Sequence, residues 1–195
     1  MKPPNVRWNI AGPAIIGVVA LVVAGYLAWL TFQHDDSPAE QPAAKVATDT
    51  LVNHKGGYSV KVPRGMKATR MGAATRIIDK GRTVTVTITP TAKGTPADRN
   101  KAVLRAMVST YRSVNLTTSQ RQQVDGRAAL ASYGRALSKK GVALRFVLIS
   151  VKGKARNFSI STFAAADSDP NKVLPRVRAI TNGFHVLSAK QVARK

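Results

Sequence analysis

The apolar and polar positions divide this chain into three stretches of different period. From Ile10 to Phe32 the run "IAGPAIIGVVALVVAGYLAWLTF" carries no charged side chain. As a helix rising 1.5 Å per residue it would be roughly 35 Å long, enough to cross a hydrocarbon core of about 30 Å with some tilt. Trp8 stands at one end and Tyr26 and Trp29 near the other, where interfacial aromatics sit, and Pro13 falls in the first turn, where a missing N–H costs least. The pattern predicts a transmembrane helix over 10–32. Residues 33–56 then lose all sustained period, are polar and contain Pro38 and Pro42, which predicts an extended linker.

From Gly57 the period becomes two. "YSVKVP" alternates Tyr58, Val60 and Val62 with Ser59 and Lys61, a half-buried strand stopped by Pro63. "TRIIDKGRTVTVTITP" predicts a hairpin turning at Asp79–Arg82, with Val84, Val86 and Ile88 toward a core and Thr83, Thr85, Thr87 and Thr89 toward water or a partner. Between Thr95 and Val114 the period lengthens. Val103, Leu104, Met107, Val108 and Tyr111 recur at helical spacing, with Thr95 as cap, Pro96 at the first helical position and Asp98 in the first turn. The opposite face carries Arg99, Lys101, Arg105 and Arg112.

Consecutive strands follow, separated by short turns at Asp125–Gly126, Ser138–Gly141 and Lys152–Lys154, which predicts an antiparallel meander. "VALRFVLISV" is apolar on both faces and is expected to be central. A last helical face holds Val173, Val177, Ile180 and Phe184. Pro175 predicts a kinked start with the main helix running from there to a stop at Gly183, and residues 188–195 predict a frayed basic tail. The whole is an α+β domain over 57–187: one antiparallel sheet with helices packed on it.

Charge sharpens this picture. The chain holds 31 Lys and Arg against 9 Asp and Glu, a net +22, and the excess comes mostly from missing acids. Between Tyr58 and Phe184 there are 24 bases and five acids. Such a surface attracts polyanions: anionic lipid, phosphate-bearing wall polymer or nucleic acid. Lys2 and Arg7 precede the apolar run and Asp35, Asp36 and Glu40 follow it, which keeps residues 1–9 cytoplasmic and the large domain outside the plasma membrane. A cleaved signal peptide has a shorter apolar region of about 7–15 residues, so an uncleaved anchor is expected.

Four segments in order resemble the PsbP-like superfamily, which includes photosystem II subunit P, Ran-binding Mog proteins and actinobacterial LpqN/LpqT-type lipoproteins. They are "GYSVKVPRGM" (57–66), "VDGRAALASY" (124–133), the hairpin "VALRFVLISVKGKARNFSISTFA" and "VRAITNGFHV" (177–186). The resemblance covers 57–187 and implies an α+β accessory or binding protein with no catalytic residues to carry over. The chain departs from the wall lipoproteins in having no cysteine to lipidate, a transmembrane helix standing in its place.

The search for chemistry agrees with that implication. Gly56–Gly57 precedes a strand, whereas a phosphate loop follows one and opens a helix, and neither GxxxxGK[ST] nor GxGxxG occurs. The two glycines are read as punctuation between linker and domain. The domain's acids all fall in expected turns or helix starts, and His185 has no nucleophile-elbow motif beside it. No enzyme, cofactor or metal is expected. The expected function is a non-catalytic, membrane-anchored binding module docking to a membrane complex or an anionic envelope surface through Lys101, Arg105, Arg112, Lys139, Lys140, Lys152 and Lys154. The alternatives are a nucleic-acid-binding membrane protein and a lipid or glycolipid carrier with an apolar pocket.

Overall fold

A computed structural model describes residues 46–192. The expected transmembrane helix, the cytoplasmic tip, most of the linker and the last three residues of the tail lie outside the described residues. Among the described residues no helix is long and apolar enough to cross a membrane.

Among the described residues ten strands and three helices run in the order β1 (Thr48–Asn53), β2 (Tyr58–Pro63), β3 (Met66–Met71), β4 (Ala74–Asp79), β5 (Val84–Thr91), α1 (Pro96–Thr110), β6 (Ser113–Val124), β7 (Arg127–Leu137), β8 (Ala143–Val151), β9 (Asn157–Ala165), α2 (Pro170–Asn182), β10 (His185–Val186) and α3 (Ala189–Val192). They form two antiparallel sheets rather than one. The large sheet has the order β3-β4-β5-β9-β8-β7-β6 and the small one β1-β2-β10.

The large sheet is buried on both faces where β7, β8 and β9 run, because side chains alternate across a strand. Ala131, Tyr133, Val147, Ile149 and Ile160 point one way and meet α2 and the small sheet through Val60, Val177 and Ile180. Phe146 and Leu148 point the other way and meet Met107 of α1, with Val103, Leu104 and Tyr111 packed around them. The double apolarity of "VALRFVLISV" therefore has the expected cause, with β8 paired on both sides.

Several further sequence expectations change. Residues 48–53, read as linker, form β1 and pair with β2 along its whole length. Gly56 and Gly57 are thus the turn of a β1–β2 hairpin and not a boundary. Gly57 takes φ +75°, and a Cβ on Gly56 would meet the Tyr58 ring and the Ala73 carbonyl. Strand β3 is exposed on most of its length, its alternation of Met66 and Ala68 with Lys67 and Thr69 breaks at Arg70, and it pairs with β4 as an edge strand. Helix α2 is continuous from Pro170 through Pro175 to Asn182, capped by Asp169. Its buried stripe, Val173, Leu174, Val177 and Ile180, is held by tertiary packing, while the carbonyl that Pro175 leaves unbonded belongs to the exposed Asn171. Residues 189–192 of the tail form the short α3, tied by the Ser188 and Gln191 side chains.

Gly183 does end α2, but at φ −91°. Its role is close approach: the Lys61 N–H donates to the Gly183 carbonyl at 3.1 Å, and a Cβ there would strike the Lys61 side chain. On α1 the buried stripe is rotated from the expected one. Asn100 is buried and Val108 is 65% exposed, because 100, 103, 104, 107 and 111 form the face that meets the sheet.

Candidate functional site

The sequence-selected bases do not form one patch. Register fixes the two ends of the large sheet. Ser113 pairs with Leu137, Leu137 with Ala143, Leu144 with Ala165, Val84 with Ala164 and Met66 with Asp79, so all of these mark one end. Lys139 and Lys140 in the β7–β8 turn lie at that end, with Arg112 just before β6 and Lys80 and Arg82 in the β4–β5 turn. Lys152 and Lys154, in the β8–β9 turn, lie at the opposite end. The nine residues of β8 put about 30 Å between the two turns. Lys101 and Arg105 are exposed on the outer surface of α1.

The first end holds two further bases that the sequence reading passed over. Arg135 of β7 and Arg145 of β8 are direct cross-strand partners and therefore project from the same face. With Ser113, Asn115, Leu137 and Leu144 they line an open cleft of about 290 Å³. Both arginines lie inside strand-like runs, where a base reads as an ordinary outward residue. The available signal was hairpin arithmetic: 135 and 145 stand equally far from the middle of the 138–142 turn, which makes them opposite each other.

The carboxylates that could neutralise this surface are largely committed to structure. Asp79 accepts from the Thr83 hydroxyl at 2.7 Å and the Val84 N–H at 2.9 Å, locking the β4–β5 turn in which Arg82 takes φ +54°. Asp98 accepts from the Thr95 hydroxyl at 2.6 Å. Asp169 accepts from the Asn171 N–H at 2.9 Å at the start of α2.

Asp125 is the most heavily used. It sits in a two-residue turn with Gly126, both at positive φ, and reaches across to β10. Its Oδ2 accepts from the Val186 N–H at 2.9 Å and lies 3.6 Å from Arg127 Nε. Its Oδ1 lies 2.9 Å from His185 Nδ1, which must donate because an ionised carboxylate only accepts. Partial burial pushes the Asp125 carboxyl up, but the His185 hydrogen bond, the Val186 N–H and the His185 and Arg127 charges outweigh it and hold it below the usual carboxylate range. A carboxyl depressed in the fold adds stability above its unfolded value of about 3.9, and that stability is lost as pH falls through the lower folded value. Asp125→Asn is therefore expected to cost about 1 kcal/mol at neutral pH. The gap from the parent chain should close below about pH 4, read by urea denaturation across pH. A gap that stays constant to low pH would show that Asp125 acts by shape alone.

Among the described residues no group of three or more His, Cys, Asp or Glu could hold a metal. Among the described residues, Tyr58, Tyr133, Phe146, Phe158 and Phe184 are each at most 1% exposed, and the half-buried Tyr111 and Phe163 rings stack on each other at 5.7 Å, which leaves few rings free to stack nucleic-acid bases. Between Tyr133, Val147 and Ile149 of the sheet and Leu174 and Val177 of α2 the free space is about 30 Å³. That is room for about one water, against the roughly 300–1,000 Å³ of a small-molecule pocket.

No protein-family model matches the chain, and no curated protein matches it in sequence. Solved structures do. Cyanobacterial PsbP (CyanoP) from Synechocystis sp. PCC 6803 superposes with a TM-score of 0.55 at 16% identity, covering 79% of this chain and 99% of that one. LpqN of Mycobacterium tuberculosis, described as involved in cell envelope biogenesis, gives 0.48 at 12% identity over 80% and 88%. The immunity protein TplEi of the Pseudomonas aeruginosa type VI secretion system gives 0.42 at 13% identity over 89% and 62%. The likeness to PsbP establishes the fold, a sheet-rich antiparallel α+β domain similar to PsbP, as the four sequence segments implied.

Proposed function

We propose that the chain is a single-pass, membrane-anchored and extracytoplasmic binding module that works without catalysis, docking through its basic surface to a membrane complex or an anionic envelope surface. The observation that carries this reading is the charge imbalance in its structural setting. The domain between Tyr58 and Phe184 has 24 bases and five acids, and the acids Asp79, Asp98, Asp125 and Asp169 are bonded to nearby turns and helix starts. The excess of bases leaves a net positive field around the domain, in which each base near an anionic leaflet contributes about 1 kcal/mol and the effect fades within a Debye length. The uncharged run at 10–32 supports the anchor, and the bases flanking it support the orientation.

The test is capture of the full-length chain from detergent-solubilised native membranes, followed by elution in a salt gradient. Release of bound lipid, wall polymer or a protein complex that steepens with salt is expected. Association that is indifferent to salt up to about 0.5 M, where screening is short-ranged, would argue against charge as the docking force.

A further inference from the structure

We propose that the Arg135–Arg145 cleft takes the phosphate of an anionic phospholipid headgroup, in the same bilayer that holds the chain's own span. This end of the sheet then lies on the membrane. The inference rests on the anchored reading above.

Three observations converge on it. The first is the arginine pair. Arg135 and Arg145 stand directly opposite each other on one sheet face, so their guanidinium groups reach into the same cleft wall. Guanidinium forks suit a phosphate, which offers several acceptor oxygens to bidentate donors, and Ser113 and Asn115 add polar groups at the cleft wall. The second is where the chain leaves. The Arg64 N–H donates to the Ala47 carbonyl at 2.9 Å, and Thr48 pairs with Pro63 just before the turn into β3. Met66 and Asp79 mark the same sheet end as the cleft. Fifteen residues separate Phe32 from Thr48, a reach of at most about 50 Å. The eleven-residue β7 sets the opposite end of the sheet about 37 Å away along the strand direction. A short tether concentrates the near end at the bilayer far more than the distant one.

The third is the rim. Lys139 and Lys140 flank the cleft in the β7–β8 turn, and Lys80 and Arg82 stand at the same end three strand spacings away, about 14 Å. These bases draw the end toward an anionic surface, and the cleft holds it there. Lys152 and Lys154, at the far end, are a pair of bases remote from the Arg135–Arg145 cleft and from the chain's exit, and serve as an internal control.

The experiment uses the full-length chain in vesicles of phosphatidylcholine alone or mixed with phosphatidylglycerol. The chain has no cysteine, so Val142→Cys at the near end and Ala128→Cys at the far end each carry a single fluorophore. Energy transfer to a headgroup acceptor reports distance from the bilayer. Phosphatidylglycerol should bring the 142 label to the surface and leave the 128 label remote. The docked-to-undocked ratio should fall about 30-fold or more in Arg135→Gln/Arg145→Gln, measured at a temperature where the variant's own melting curve shows it folded. In Lys152→Gln/Lys154→Gln it should change less than about threefold.

Equal losses in the two double variants would reduce the effect to net charge and overturn the cleft. So would an arginine variant that docks like its parent. Release of docking by millimolar inorganic phosphate at constant ionic strength would assign the cleft to the free anion and overturn the lipid assignment. Extraction of the parent chain from vesicles by alkaline carbonate would overturn the anchor itself, and the orientation with it. Retention without docking overturns the cleft alone.

Discussion

Phe184→Ala is expected to destabilise the domain by about 3–5 kcal/mol. Phe184 is fully buried at the point where α2 hands the chain to β10. Its ring lies 5.3 Å from that of Phe158 in an edge arrangement and 5.6 Å from that of Tyr58. Tyr58 in turn meets Phe158 edge-on at 5.9 Å. The three rings join β2 of the small sheet, β9 of the large sheet and the end of α2, so one truncation opens a cavity that all three elements share. Backbone bonds on either side, Lys61 to Gly183 and Leu187 to Gly57, hold the walls apart and limit collapse into the void. Tyr58 cannot move inward cheaply either, because its hydroxyl donates to Thr75 Oγ1 at 2.7 Å. Urea denaturation measures the loss. Phe184→Leu keeps most of the volume and should cost about half as much; a loss under about 1 kcal/mol for the alanine variant would mean the cluster repacks.

The second large effect is expected at Asn100→Asp, at least about 3 kcal/mol at neutral pH. Asn100 is a polar residue on the buried face of α1, and its amide is fully matched. The Nδ2 group donates to Ser132 Oγ at 2.8 Å, to the Leu130 carbonyl at 3.1 Å and to the Leu148 carbonyl at 3.3 Å. Its Oδ1 accepts from Ser150 Oγ at 2.6 Å. One side chain thus docks α1 onto β7 and β8 and sets the helix's rotation. A carboxylate would place an acceptor against two carbonyls and lose both N–H donors, which now serve three acceptors. Its pKa would be raised by burial and by those carbonyls, so the penalty is full above the folded value and relaxes as pH falls and the group protonates. Chemical denaturation at pH 7 and pH 5 should show the variant gaining on the parent at the lower pH. No such gain would mean the helix has shifted rather than kept its seat.

These two residues show what kind of information a sequence carries. Phe184 was legible, because it closes an apolar helical face at the end of a segment that also resembles a known family. Asn100 was not, since a polar residue at a helical position is ordinarily solvated, and only partners drawn from β7 and β8 make it a buried one. Val108 is the converse case, apolar yet outside the seam that Asn100 defines. The arginines divide the same way. Lys139 and Lys140 stand out as a turn pair, whereas Arg135 and Arg145 mean nothing until the hairpin sets them face to face.

The sequence by itself determined the local matters: the period-two strands, the turns at Asp79–Arg82 and Asp125–Gly126, the cap at Thr95, the antiparallel α+β class and the shortage of acids. These follow from backbone sterics and from neighbours a few residues away. Only the tertiary structure decided that residues 48–53 and the exposed β3 are strands, that Pro175 lies within one helix, that the strands form two sheets, and which bases share an end. Each of those depends on partners far along the chain, through pairing of main-chain groups and burial against a surface that exists only once the domain has closed.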